Sequence, residues 1–213
     1  MPRQAVPKSP GRPTLAEAKT LTERIVSTAT RIFLDKGYAS TSMEEVALAA
    51  GTAKRTLYSR FPAKSDLFRA VVVDYSSKTL GVMPQGEQAA ALAESLYNDC
   101  IRLMEIALTP DVVALQRIIR AEVERFPELA TSFELARDQA LDHLTRRLSE
   151  AVAAGEIAVA DVRFAAQQLM ALTVEMEARS VGMGLAPPCV TPEARERCRA
   201  AVQLFLFGCT TRS

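Results

Sequence analysis

Residues 41–68 read TSMEEVALAAGTAKRTLYSRFPAKSDLF and predict short helices separated by a glycine and a proline. The first four residues fit a capping box, in which a hydroxyl and a glutamate satisfy backbone N–H groups at the start of a helix. Apolar residues then recur at helical spacing as far as Gly51, which tolerates the positive φ of a tight turn. The pattern predicts helices over 42–50 and 53–61, with Pro62 ending the second and another helix beginning near Lys64.

Helical periodicity continues on both sides of this segment. A second capping box at 20–23, the stripe Ile25, Ala29 and Phe33, and a stop at Gly37 predict a helix over 21–36. Downstream stripes, bounded by Pro and Gly, predict helices over 64–78, 87–108, 110–126, 128–154, 161–181 and 192–208. No segment of useful length alternates with period two. We therefore predict an all-α fold with nine helices.

Composition limits the class of protein. The chain has 213 residues, of which 48% are hydrophobic, so it can build a core. It has no apolar run long enough for a membrane span and no apolar region of a secretory signal at the N-terminus, so a cytoplasmic location is expected. Its four cysteines form no C-x-x-C pair, which favours reduced thiols.

The charge is divided unevenly along the chain. Residues 1–69 hold 12 Lys/Arg and 6 Asp/Glu, a net charge of +6, whereas residues 70–213 hold 14 and 19, a net charge of −5. A basic N-terminal part is suited to a polyanion. We predict a flexible basic, Pro-rich arm over 1–19, a helix-turn-helix domain over 20–69, and a larger helical domain over 70–213.

The third predicted helix carries the functional signal. Residues 53–64 contain no acid, and the exposed positions around Leu57 can all donate hydrogen bonds to phosphate or base edges. These positions are Lys54, Arg55, Thr56, Tyr58, Ser59 and Arg60. Two short helices joined by Gly51 in a basic region are typical of a helix-turn-helix, although an ordinary helical hairpin gives the same spacing.

The segment 41–68 resembles the TetR/AcrR family of bacterial transcriptional regulators. The family pattern has a Thr-rich cap, a Val-Ala pair, Ala-Gly at the turn, and Thr-Leu-Tyr-x-x-Phe-x-x-Lys-x-x-Leu, which is matched here from Thr56 to Leu67. The resemblance covers about residues 21–70. The chain departs from the pattern at Thr52 and Ala53, and Lys54-Arg55 replaces a usual small residue.

This resemblance implies roles for individual residues. Thr56, Tyr58 and Lys64 would hold phosphates, and Thr41 and Ser42 would touch the DNA backbone at the start of the second helix. The candidates for base edges are Lys54, Arg55 and Arg60, with phosphate contact as the alternative for each. Arg12, in Gly11-Arg12-Pro13, resembles a minor-groove arm, but a solubilising tail explains it equally well.

In such regulators the larger domain binds a small ligand and pairs two subunits. The broad apolar surface of the 87–108 helix is suited to lining a cavity. Candidate ligand contacts, each of which could instead belong to the core, are Tyr97, Cys100, Met104, Phe133, His143 and Met176. Apolar stripes on the last two long helices predict a four-helix dimer interface at Leu169, Val202, Phe205 and Leu206, unless these stripes face their own core.

Enzyme chemistry finds little support in this sequence. The sequence has a single histidine, no E-x-x-H motif and no Gly-rich phosphate loop. We predict no catalytic site, no metal site and no cofactor. We therefore expect a homodimeric DNA-binding regulator, in which a small, largely apolar effector releases a repressor from palindromic double-stranded DNA. Two alternatives are a small-molecule-binding or sequestering protein with a vestigial helix-turn-helix, and an all-α enzyme.

Overall fold

The computed structural model describes residues 15–80 and 91–209, and the fold within them is all-α, as predicted. These ranges contain nine continuous helical segments and no strand. The elements are α1 (Leu15–Ser40), α2 (Met43–Ala49), α3 (Lys54–Arg60), α4 (Lys64–Leu80), α5 (Leu92–Ala107), α6 (Pro110–Glu122), α7 (Leu129–Ala153), α8 (Val162–Met170), a π-helical turn (Ala171–Glu175), α9 (Met176–Gly182) and α10 (Pro192–Gly208). α8, the π-helical turn and α9 run on without a break, so they form one of the nine segments.

The first helix begins earlier than the sequence predicts. α1 starts at Leu15, so the predicted capping box at 20–23 lies inside the helix and that prediction is wrong. Residues 15–19, assigned above to the basic arm, are helical, while the rest of the predicted arm and Arg12 lie outside the described residues. The predicted stop is correct, because Gly37 has φ +79° and interrupts the regular helix.

The start of α2 is shifted by one residue. The side chain of Ser42, rather than that of Thr41, accepts the capping hydrogen bond, and the donor is the backbone N–H of Glu45. A hydroxyl also caps α10, because the side chain of Thr191 accepts from the backbone N–H of Ala194. Hydroxyl caps of this kind satisfy one of the free N–H groups at a helix start.

Two clusters of buried side chains hold the helices together. The cluster that we call the N-terminal core is built by α1–α4 and also includes Leu115 and Ile119 from α6 and Leu129 from α7. The second cluster, the C-terminal core, is built mainly by α5, α7, α8 and α10. α4 packs on both α1 and α7. The domain boundary predicted between residues 69 and 70 therefore falls inside a helix that both parts share.

Candidate nucleic-acid interface and internal cavity

The turn between α2 and α3 has the geometry that its glycine predicts. Gly51 adopts φ +61°, and the backbone N–H of Thr52 reaches back to the carbonyl of Ala47 at 2.9 Å. This bond closes the C-terminus of α2 in the manner of a Schellman motif. Behind the turn, Leu57 of α3 is fully buried with Val46 of α2 in the N-terminal core. The turn and this contact fix the orientation of α3.

The exposed side of α3 is basic. Lys54, Arg55, Tyr58 and Ser59 are exposed, and we call this group the recognition face. Thr56 lies beside it and is half-buried. Arg55 forms no ion pair with any acid in the described part of the chain, so its guanidinium can take a phosphate or a base edge without breaking an existing pair.

An acid of α2, Glu44, reaches the recognition face, and this contact is not evident from the sequence. The carboxylate of Glu44 lies 3.2 Å from the ammonium of Lys54 and 3.4 Å from the hydroxyl of Tyr58. A hydrogen bond from its own backbone N–H has the largest effect in lowering the pKa of Glu44, and the hydrogen bond from Lys54 lowers this pKa further. Glu44 therefore remains ionised and competes with DNA for both side chains.

Arg60 connects α3 to α1 rather than standing free on the surface. Its guanidinium donates to the hydroxyl of Thr22 at 2.6 Å, and the side chain is half-buried. Thr22 lies within the predicted capping box at 20–23, but its hydroxyl accepts from Arg60 and donates to the carbonyl of Ala18. In this arrangement Arg60 orients α3, and a base contact would require the bond to Thr22 to break.

Lys64 does not fit the predicted phosphate contact. Its ammonium donates to the carbonyls of Tyr38, Ala39 and Thr41 at 2.8, 3.2 and 3.0 Å. An ammonium has three protons, so its hydrogen-bonding capacity is used. It also lies 4.5 Å from the centre of the Tyr38 ring, and desolvation lowers its pKa. The structure gives Lys64 the role of closing the C-terminal end of α1.

Thr41 and Ser42 differ in their access to DNA. Thr41 is only 3% exposed and its hydroxyl donates to the carbonyl of Gly37 at 2.7 Å, so the predicted contact through its side chain is wrong. Ser42 is exposed at the start of α2 and remains a candidate. Of the predicted DNA contacts, Ser42, Lys54, Arg55, Thr56 and Tyr58 thus share one surface.

A cavity of about 560 Å³ lies between α4, α5, α6, α7 and the α8–α9 segment. Its size is within the usual range for small-molecule sites. Phe133 and Met176, two of the six predicted ligand residues, line it. The π-helical turn contributes to the wall through Ala171, Leu172, Val174 and Glu175, and such turns are frequent at functional sites.

The other four predicted ligand residues lie elsewhere. Cys100 and Met104 are fully buried in the C-terminal core, and a hydrogen bond with the thiol of Cys198 raises the pKa of Cys100. The guanidinium of Arg199 lies over the ring of Tyr97, 4.0 Å from the centre of that ring. His143 lies 3.3 Å from Asp99, which also pairs with Arg147. Helical stripes placed Tyr97, Cys100 and Met104 on an apolar face but did not show which side chains face a cavity, and His143 lay beside its stripe.

Charged side chains line part of the cavity, and no sequence pattern predicted them. Arg137 pairs with Glu175 at 2.7 Å. Arg120, Arg179 and Glu134 also line the cavity, but no ion pair links them to each other or to other described residues. The rest of the lining is mainly apolar and includes Leu103, Ile106, Leu115, Met170 and Leu172.

The residues predicted for a dimer interface are largely buried within the chain. Leu169, Val202 and Phe205 belong to the C-terminal core, and Leu206 packs against it half-buried. The same two helices expose other apolar side chains. Phe164 of α8 is 57% exposed, and Leu204 and Phe207 of α10 are 66% and 82% exposed.

Known families match most of the described chain. Residues 25–71 match the family model described as bacterial regulatory proteins, tetR family. Residues 94–208 match the model of the C-terminal domain of AefR-like transcriptional repressors. Separately, no helix in the described ranges has the length and hydropathy needed to cross a membrane.

Individual relatives are similar over much of their length. The regulator AcrR of Shigella flexneri is 30% identical over 139 residues, which cover 63% of this chain and 64% of AcrR. The flavonoid-responsive regulator FrrA is 30% identical with a TM-score of 0.77, over 92% of this chain and all of FrrA. A TetR-family regulator from Mesorhizobium loti shares the fold, with 24% identity, a TM-score of 0.76, and coverage of 91% and 98% of the two chains. These relatives are transcriptional regulators rather than enzymes.

Proposed function

Since the chain belongs to the TetR family of helix-turn-helix transcriptional regulators, we propose that it is a repressor released from a two-fold symmetric operator by a small, largely apolar effector. The observation that carries this proposal is the position of the cavity. Val72, Leu115 and Ile119 line the cavity and are also members of the N-terminal core that holds α3. A molecule in the cavity therefore contacts side chains that support the recognition face.

The proposed DNA contacts are the recognition face together with Ser42 and Thr56. Arg55 is the best candidate for a base edge, because its guanidinium is exposed and forms no ion pair in residues 15–80 and 91–209. To bind DNA, Lys54 and Tyr58 must give up their contacts with the carboxylate of Glu44. Arg60 positions α3 through Thr22. The proposed partner of this surface is double-stranded DNA in the cytoplasm.

We assign the dimer interface to the exposed apolar residues of α8 and α10, which are Phe164, Leu204 and Phe207. Leu204 and Phe207 lie three positions apart on one exposed face of α10, and exposed apolar patches often mark interaction sites. A two-fold pairing of α8 and α10 would place the same residues opposite each other and create a four-helix contact. Two recognition helices held at a spacing of about 34–36 Å would then enter successive major grooves.

The effector is proposed to lie against the apolar wall of the cavity and to favour a conformer with a different spacing of the recognition helices. Release of DNA follows only if the effector binds that conformer more tightly. The name of FrrA, whose chain is 30% identical, states that it responds to flavonoids. Flat aromatic molecules of that class are therefore sensible first compounds to test.

The direct test is binding of the purified chain to the DNA around the start of its own gene. Fluorescence anisotropy should detect a site with inverted symmetry, and affinity should fall steeply as salt rises. The variant Arg55→Gln should lose discrimination against mutated half-sites, whereas Arg102→Gln, on the exposed side of α5, should retain it. Tight binding of aromatic compounds without any DNA binding would instead support the sequestering protein.

A further inference from the structure

Two solvent-exposed arginines line one side of the cavity without an acid to balance them. Arg120 of α6 and Arg179 of α9 both line the cavity. No ion pair joins either of them to a carboxylate in residues 15–80 and 91–209, whereas the nearby Arg137 is paired with Glu175. The α6–α9 side of the cavity therefore carries two uncompensated positive charges.

Both arginines lie beside α9. A Cβ added to Gly182 would lie 2.3 Å from Nη1 of Arg120, so that guanidinium rests directly against the Gly182 backbone. Arg179 precedes Gly182 by three residues, which places both on one side of α9, less than one turn apart. Two positive charges on one side of the cavity raise its affinity for an anion.

A structural role at the end of α9 is already filled by another side chain. Arg117 donates to the carbonyls of Val181 and Gly182 at 3.2 and 3.3 Å. These are among the carbonyls at the C-terminus of α9 that would otherwise attract a cation. Arg120 and Arg179 are therefore not required to cap this helix, and their presence in the cavity needs another explanation.

We propose that the cavity takes an anionic amphipathic molecule, with a carboxylate or sulfonate held by Arg120 and Arg179 and an apolar body against Phe133 and Met170. A guanidinium presents two N–H donors in the geometry of such an anion, and these charge-assisted bonds are stronger than neutral ones. Glu134 also lines the cavity, on α7, and would repel the anionic group. The α6–α9 wall is thus the end that accepts the charge. The inference rests on the proposed function, because it specifies the class of effector.

The test compares two fluorescent probes of nearly the same shape. One is 8-anilinonaphthalene-1-sulfonate, and the other is N-phenyl-1-naphthylamine, which lacks the sulfonate. With the full chain, Arg120→Gln and Arg179→Gln should each weaken binding of the sulfonate by about tenfold and change that of the neutral amine by less than about twofold. The control Arg102→Gln removes the same charge from an exposed position outside the cavity and should leave both affinities unchanged.

A second variant tests the geometry without altering the charge. In Gly182→Ala the new methyl group must displace the guanidinium of Arg120, because it would otherwise overlap Nη1. Gly182 does not have a positive φ, so the substitution introduces no backbone strain of its own. We expect the sulfonate to bind several-fold more weakly to this variant and the neutral amine to bind as before.

Each outcome separates the anion site from the wider proposal. If both probes bind and the sulfonate is insensitive to the two arginines, the anion site is wrong and the effector cavity stands. If neither probe binds, both are wrong. An equal effect of Arg102→Gln would show that the sulfonate responds only to overall charge, which also overturns the anion site. Arginine-dependent binding that leaves operator affinity unchanged would support the anion site and contradict the effector role.

Discussion

Replacing Lys64 with methionine tests whether this residue holds the fold or the DNA. The substitution keeps an apolar stem and removes the ammonium that donates to three carbonyls at the end of α1. A hydrogen bond to a charged group is worth about 1.5–3 kcal/mol, but burial of the ammonium has a cost that offsets part of this, as its lowered pKa indicates. We expect a net loss of about 1–3 kcal/mol in the free energy of unfolding.

The assay pairs thermal unfolding with DNA binding. For a chain of this size, that loss should lower the Tm by about 3–9 °C in a circular dichroism melt. The salt dependence of operator binding should stay close to that of the wild type, because the ammonium of Lys64 is already occupied. The matched variant Arg55→Gln should behave in the opposite way, with an unchanged Tm and with weaker, less sequence-selective operator binding.

One result would refute this reasoning. If Lys64→Met kept the Tm of the wild type and reduced the salt slope by about 0.9 per subunit, then Lys64 would be a phosphate ligand, as the resemblance to the TetR/AcrR family implied. The three carbonyl contacts would in that case contribute nothing measurable to stability.

Three further expectations test other parts of the chain. Burial raises the pKa of Tyr38 to about 12, so the unfolded phenol ionises before the folded one; stability should be full below about pH 10 and fall between about 10 and 12. In thermal melts across that pH range, the Tm of Tyr38→Phe should fall less than that of the wild type. An equal fall in Tm would show that ionisation of Tyr38 does not cause the loss of stability. The double variant Leu204→Asp with Phe207→Asp should sediment as a monomer and lose operator binding. The control Leu185→Asp changes a residue that is 75% exposed and lies outside α8 and α10, and it should remain dimeric. If the double variant stays dimeric, these residues are not part of the interface. Glu44→Gln removes the carboxylate that competes with DNA and should strengthen binding to unrelated sequences in anisotropy titrations, so weaker binding would show that Glu44 itself reads DNA.

Features that depend on contiguous residues could be predicted from the sequence. The helix-turn-helix is one, because its turn at Gly51, its anchor at Leu57 and its basic residues lie within a few positions of each other. The all-α class is another, since the period of apolar residues reports helix over the whole chain. The start of α1 was misjudged, because residues 20–23 also match a capping box inside a helix.

Partners of side chains far apart in sequence could not be predicted in the same way. Lys64 and Arg60 read as surface cations, yet they bond to Tyr38 and Thr22 at separations of 26 and 38 residues. A cation in a loop or helix gives no local sign of whether its acceptor is a phosphate or a carbonyl of the same chain. The acceptors are determined by the packing of α4 on α1 and by the packing of α3 on α2, which itself packs on α1.

The sequence by itself determined which residues form helices and that α3 presents a basic side. Only the tertiary structure decided which apolar faces meet their own core and which remain at the surface or around a void. Leu169 and Phe205 are buried, whereas Phe164 and Leu204 on the same helices are exposed. The period of a helix fixes the angle between its faces but not their direction, and that direction follows from how the neighbouring helices pack.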